Sequence, residues 1–209
     1  MKNLMMGNPK CVGLRKSHYN NQKIFNMKKV ILNLALVFCI GAIANAQTGN
    51  NVIVGGQEML PQKNIIENAL NSGDHTTLVA AVKAADLVST LSGIGPFTVF
   101  APVNDAFENL PSGTVQSLLK PENKKSLQGV LTYHVISGKY DFNALSAEIK
   151  KGKGSAILTT VNGATLTFMM NGLKNITVKD KKGSIANISV YDVYQSNGVI
   201  HVIDKVLLP

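Results

Sequence analysis

The 209-residue chain contains no tryptophan, two cysteines and only 6% aromatic residues, and its one arginine is Arg15. Both cysteines, Cys11 and Cys39, lie before residue 47. The stretch around Cys39 opens with a basic Met27-Lys28-Lys29, continues as the apolar run Val30–Ile43 and ends in Ala44-Asn45-Ala46, a small-x-small cleavage pattern. The run has the length of a signal h-region and falls short of the roughly 20 residues that span a bilayer. Residues 27–46 are therefore expected to be a secretory signal peptide cleaved after Ala46. Residues 1–26 are expected to be a mis-assigned N-terminal extension ahead of the true start at Met27, the alternative being an extended n-region. Cys39 follows Phe38 inside the apolar run, which argues against lipidation, and Leu207–Pro209 is followed by no apolar tail that would act as a second anchor.

Cleavage would change what the composition means. Seven of the 21 Lys/Arg and none of the 12 Asp/Glu precede residue 47, so the formal charge of +9 falls to +2, carried by 14 lysines against 12 carboxylates. With no arginine for bidentate base contacts and no basic excess, nucleic-acid binding is excluded. With no cysteine, disulfides and thiol chemistry are excluded from the mature chain, although its compartment would permit them. The mature chain suffices for one well-buried core and not for two ordinary domains.

What is present divides into two halves. Residues 47–60 are rich in Gly, Asn and Gln and read as a flexible tether ahead of a domain at 61–209. Ile65, Ile66, Ala69 and Leu70 share one face of a short helix over Lys63–Leu70, stopped by Asn71-Ser72-Gly73. Thr76 or Thr77 is expected to cap the next helix, whose stripe is Leu78, Ala81, Val82 and Ala85. Thr114–Leu119 forms a brief helix before Pro121, and Asn123 is expected to cap a longer one in which Leu127, Val130, Leu131 and His134 point the same way. After Gly138 the period becomes two. Ala156–Val161 and Ala164–Met169 flank Asn162-Gly163, which predicts a type I′ hairpin, and strands follow at Ile176–Lys179, Ile185–Val193 and Val199–Leu207. Helices in the first half and antiparallel strands in the second make the fold class α+β.

Three segments stand out: Gly95–Phe107 (GPFTVFAPVNDAF), Leu131–Gly138 (LTYHVISG) and Asn197–Pro209 (NGVIHVIDKVLLP). In the first, Phe97–Phe100 is a β-branched and aromatic strand, Pro102 ends it, and Asn104 stands where a helix N-cap belongs with Asp105 in the first turn. A strand feeding a capped helix, a downstream Tyr133-His134 pair and a closing apolar strand resemble the fasciclin-like domain over nearly all of Gln62–Pro209. The resemblance implies N-terminal helices packed on an antiparallel β-sheet wedge. It also implies adhesion or matrix interaction by non-covalent contact with an extracellular protein or polysaccharide, with no enzymatic step and no cofactor. The alternative is a periplasmic carrier or sensor of a small apolar ligand held between helices and sheet. The expected location is periplasmic, cell-surface or extracellular, as a monomer with no membrane span in the mature chain.

Candidate site residues follow from the same segments. His134 belongs to the apolar stripe and is expected to be held by buried hydrogen bonds; alternatively Tyr133 and His134 contribute to a partner-binding surface, with room for Tyr133 outward and His134 inward. Asp192-Val193 stands where the resemblance places an Asp-Ile integrin-contact element, with valine in place of isoleucine and non-matching flanks at Tyr191 and Tyr194. The bacterial-looking signal argues against an animal receptor, and the other reading is a solvent-exposed aspartate at a strand end. Val103 stands where the family has threonine, leaving Asn104 as the expected cap. No metal site is expected: His201 and Asp204 lie three apart in a strand and so face opposite sides. No Gly-x-Ser-x-Gly elbow or phosphate loop occurs. The lysine runs Lys150-Lys151-x-Lys153 and Lys179-x-Lys181-Lys182 read as solvated loops, or as a weak site for an acidic polysaccharide.

Overall fold

The structure is a computed structural model that describes residues 51–209; the expected signal peptide, the expected upstream extension and the first residues of the expected tether lie outside that range. The described part of the tether is not loose. Ile53–Val54 (β1) pairs antiparallel with Gln57–Glu58 (β2), and Val54 and Met59 are buried in the core. Apolar residues at the two ends of a Gly55-Gly56 turn explain the docking, which composition alone concealed.

Helix α1 (Ile65–Ala69) starts from a capping box in which Asn64 accepts from Glu67 N and the Glu67 carboxylate accepts from Asn64 N. Helix α2 (Thr76–Ala84) has no cap of its own: His75 occupies the N-cap position without a side-chain bond. The acceptor arrives from far along the chain. Asn104 Oδ1 takes the Thr77 N–H at 3.0 Å and the Thr76 hydroxyl at 3.1 Å, while its Nδ2 donates to Gly73 O at 2.9 Å. The expectation that Asn104 caps the helix it opens is thereby corrected. Helix α4 (Asn104–Glu108) has Val103 at its N-cap with no side-chain bond, and Asn104 serves α2 instead. Helix α3 spans Val88–Leu91 and α5 spans Thr114–Leu118. Asn123 does precede α6 (Lys124–Tyr133), yet its amide turns back to Ser117 O at 2.7 Å and makes no cap bond.

The strands β3 (Phe97–Pro102), β4 (Val135–Ser137), β5 (Ser155–Thr159), β6 (Thr165–Met170), β7 (Ile176–Lys179), β8 (Ile185–Gln195) and β9 (Gly198–Ile203) form one sheet in the order β4-β3-β9-β8-β7-β6-β5. Helix α7 (Phe142–Lys151) lies between β4 and β5 in sequence. All pairs are antiparallel except one: β3 and β9 run parallel, Phe97 opposite Gly198 through Pro102 opposite Ile203. Pro102 is the last residue of a central strand, a position where the missing N–H costs no interior ladder bond. The hairpin between β5 and β6 is wider than a type I′ turn. Only Gly163 has positive φ, at 86°, and its N–H closes on Thr160 O at 2.9 Å, while Asn162 Oδ1 accepts from Ala164 N and the Thr160 hydroxyl.

The β3/β9 pair is buried on both faces, and alternation sends its side chains to two cores. Val99, Ala101, Ile200 and Val202 face a cluster built with α1, α2, α6 and the β1/β2 hairpin. Phe100 and Ile203 face a second cluster with Leu145, Ile149, Leu166, Phe168 and Val178.

Candidate functional site

The residues singled out from the sequence gather along the β3/β9 pair, and nearly all of their polar atoms point inward. Asn197 opens β9 and spends its side chain on three elements. Its Oδ1 accepts from Ile65 N at 3.0 Å, at the start of α1, and its Nδ2 donates to Leu91 O at 2.8 Å and Gly93 O at 3.0 Å, at the end of α3. The strands approach so closely here that a Cβ on Gly198 would sit 2.1 Å from Phe97 O. Only glycine fits that contact.

Tyr133 and His134 end α6 and are 0% and 3% exposed. The Tyr133 hydroxyl donates to Thr165 O at 2.9 Å and accepts from Lys181 N at 3.0 Å, tying α6 to β6 and to the second lysine run. Burial pushes its pKa up, the Lys181 amide partly offsets this, and Asp180 adds to the rise. His134 Nδ1 donates to Val130 O at 2.8 Å, which leaves Nε2 to accept from Leu207 N at 3.0 Å. Its pKa is lowered to about 4, chiefly because burial penalises the imidazolium, against smaller opposing contributions from Val130 O and Asp180. The ring is neutral at pH 7 and locks the last segment of the chain onto helix α6. Neither residue presents a polar atom to solvent, so a surface role for this pair runs through what it positions.

Asp192 is not at a strand end. It sits within β8, where the register against β9 breaks between Val190 and Val193, at φ 57°. A non-glycine residue holds that conformation only where something compensates. Here Asp192 Oδ1 accepts from Phe142 N at 2.7 Å, while Asp141 Oδ1 accepts from Ala144 N at 2.9 Å. Two carboxylates thus serve the positive end of α7, whose last turn carries Lys150 and Lys151. Val193 is 1% exposed and packs in the first core. Asp192 is half-buried and Val193 fully buried, a placement that period-two reading missed because a bulge shifts every later side chain.

Two other histidines, to which sequence reasoning gave no role, are also buried. His201 is fully buried, stacked on Phe100 with centroids 5.6 Å apart; its Nε2 donates to Tyr140 O at 2.8 Å and its Nδ1 faces Asp192 N at 3.4 Å. His75 Nδ1 meets Ser72 Oγ at 2.8 Å, and its Nε2 has no hydrogen-bond partner. Burial lowers the pKa of both. Asp204 turns to Asn187, accepting from its N and Nδ2 at 2.7 Å each, away from His201. Among the described residues no group of three or more His, Cys, Asp or Glu side chains is placed to hold a metal ion.

Among the described residues an apolar space lies between helices and sheet. A cavity of about 70 Å³ lies between α1, α2, α3, α6 and the β3/β9 pair, walled by residues such as Leu78, Val82, Val99 and Ile200. His134, which borders the cavity, has both nitrogens engaged and offers a ligand no free polar atom.

The comparisons agree with this architecture. The Fasciclin domain family matches residues 73–209, and the chain belongs to that family. Among its relatives is Protein sll1483 of Synechocystis sp., 50% identical over 145 residues that make up 69% of this chain and 73% of that one. Cell surface glycolipoprotein MPB83 of Mycobacterium bovis is 30% identical over 176 residues, 82% of this chain and 70% of that protein. The FAS1 domain pair of the insect cell adhesion molecule Fasciclin I shares the fold, with a TM-score of 0.61 at 20% identity over 70% of this chain and 51% of the two-domain chain. None of the described helices is long and apolar enough to cross a membrane.

Proposed function

We propose that this protein is exported through a signal peptide at residues 27–46 and works outside the cytoplasm as a monomeric adhesion or surface-interaction protein. It acts by non-covalent contact with an extracellular protein or polysaccharide and performs no chemical step. The observation that carries this reading is the use of the motif side chains. Asn104, Tyr133, His134, Asp192 and Asn197 satisfy backbone groups of other elements, so the residues that define the family hold a scaffold and leave the surface to do the work. Two relatives support it: the mycobacterial one is named as a cell surface glycolipoprotein, and the insect one is a cell adhesion molecule.

The exposed surface offers two kinds of contact. One is the pair of lysine runs, with Lys150, Lys151, Lys153, Lys179, Lys181 and Lys182 all exposed. The other is apolar: Ile157, Leu173 and Ile94 are 67%, 95% and 99% exposed. Binding of the purified protein to acidic polysaccharide and to coated surfaces, measured against salt, separates them. Lysine-driven attachment falls steeply above physiological strength, where the Debye length shrinks from about 8 Å, whereas apolar contact holds or strengthens. Weak, partly salt-sensitive binding is expected, reduced by Lys→Gln changes in both runs. Attachment of cells that is unchanged by deletion of the gene, together with no binding by the purified protein, overturns the reading.

A further inference from the structure

Among the described residues the two lysine runs and the two most exposed aliphatic side chains, Ile94 and Leu173, come together at one end of the sheet only. Beside Ile94 stands Lys139, whose ammonium group lies over the Tyr194 ring at 4.5 Å. The turn that carries Lys181 and Lys182 has no aliphatic residue, and it holds the Asp180 carboxylate, which accepts from Ser184 N and Leu208 N. At Leu173 strand register makes the meeting. Ser155 of β5 pairs with Met169 of β6, and Met170 pairs with Ile176 of β7. The turn ahead of β5 and the connection from β6 to β7 therefore leave the sheet at the same end. Adjacent strands stand about 4.8 Å apart, so the two segments are neighbours. The connection, residues 171–175, closes through Asn171 N to Asn175 O at 2.7 Å; all five residues are exposed, Leu173 to 95%.

Lysines crowd that end of the sheet. Lys174 follows Leu173, and Lys150, Lys151 and Lys153 stand at the neighbouring turn, all exposed. Lys153 holds φ 56° just past α7, where glycine or asparagine is usual. Between Phe142 and Lys179 the one carboxylate is Glu148, which pairs with Lys151 at 3.5 Å. The charge calls for a densely anionic surface. The leucine calls for something more, since it gains only by leaving water for an apolar phase, and a polysaccharide has none. An anionic bilayer supplies both. We propose that Leu173, with Lys150, Lys151, Lys153 and Lys174 around it, is a docking tip for an anionic phospholipid bilayer. The leucine enters the boundary between headgroups and acyl chains, the ammonium groups stay at the phosphates, and the protein lies on the membrane without spanning it. The proposal rests on the reading of an exported protein that works by surface contact, and it names lipid as the surface.

The test measures co-sedimentation of the purified protein with vesicles of phosphatidylcholine alone and of an equimolar mixture with phosphatidylglycerol. Binding to the mixed vesicles alone is expected, weakening as salt rises. Leu173→Ser should weaken it about 10-fold, the low end for burying a leucine, and Lys153→Gln and Lys174→Gln about 5-fold each. All three side chains are exposed, so these variants keep the fold. The chain has no tryptophan, so Leu173→Trp adds a single indole whose emission should shift to the blue on the mixed vesicles. Sodium alginate, an acidic polysaccharide, is the second arm, and Leu173→Ser should leave any binding to it unchanged. Binding to alginate with none to vesicles overturns the proposal and leaves the surface-contact reading standing. Binding to neither, with cell attachment unchanged by deletion of the gene, overturns both. Vesicle binding that is indifferent to Leu173→Ser, or a Leu173→Trp emission that does not move, overturns the docking tip as well.

Discussion

The two faces of the β3/β9 pair are covered by different means. On one face, α7 and the antiparallel strands β5 to β8 close a core in which Phe100, Leu166, Phe168, Val178, Ala186, Ile203 and Leu207 are all 0% exposed. Ladder register sets each of those side chains against its neighbour, and Phe100 and Phe168 meet at a centroid distance of 5.3 Å. On the other face lie short helices, from the four residues of α3 to the ten of α6. Helices of that length have little stability of their own and depend on tertiary contacts to be placed. Side-chain amides supply them: Asn68 to Leu60, Asn104 to α2, Gln128 to Ala85 and Asn197 to α1 and α3. Amide tethers fix helix ends without filling the space between helix bodies, and the cavity lies on this face. Ladder register packs one core tightly; tethering leaves the other with room.

The contrast can be broken most forcefully in the ladder core. Phe168→Ala should lower unfolding free energy by about 3–5 kcal/mol, because a fully buried ring leaves a cavity that registered strands cannot collapse. Denaturant titration checks this, and a loss under about 1 kcal/mol would mean that this core is as loose as the other. Next comes the tether that links three elements. Asn197→Ala leaves Ile65 N and the carbonyls of Leu91 and Gly93 without their partner, and should cost about 2–3 kcal/mol. Amide exchange should then accelerate in α1 and α3 while β5 to β7 stay protected; uniform acceleration would show that the two faces unfold as one.

The smallest expected effect belongs to the residue that joins α6 to the chain end. His134→Ala should cost about 1–3 kcal/mol through the orphaned Leu207 N and Val130 O. The same residue predicts a pH dependence. Its folded pKa, about 4, lies below the unfolded value of 6.5, so the unfolded state binds more protons between them. Stability is then complete above pH 6.5 and declines as pH falls toward 4. His75 and His201 shift the same way and add to the slope. Replacing His134 should flatten the denaturation midpoint between pH 6.5 and 4; an unchanged slope would assign the dependence to the other two histidines.

The fold was legible in the chain because its signals are local and periodic. Leu127, Leu131 and His134 at helical spacing, and Leu166 and Phe168 at strand spacing, are buried as their periods require. Three of the local readings that failed did so where a distant partner outweighed the neighbourhood. Asn104 looked like the cap of its own helix and instead serves one that begins 28 residues earlier in sequence. Residues 53–59 looked like tether and are held by Val54 and Met59 in the core. Asp192 looked like an exposed strand end, yet a bulge turns it toward the first amide of α7. The cavity had no signal in the sequence, since every residue lining its interior reads as ordinary core.

By itself the sequence determined the α+β class and the family, because apolar spacing and three compact motifs act over a few residues at a time; the expected turn to period two after Gly138 missed helix α7, which lies there. Only the tertiary structure decided that the first and third motifs run side by side as a parallel pair, that the polar motif side chains are spent on one another's elements, and that a void remains under the helices. Those outcomes depend on which distant groups meet, and hydrogen-bond satisfaction and packing volume are properties of the assembled chain rather than of any segment of it.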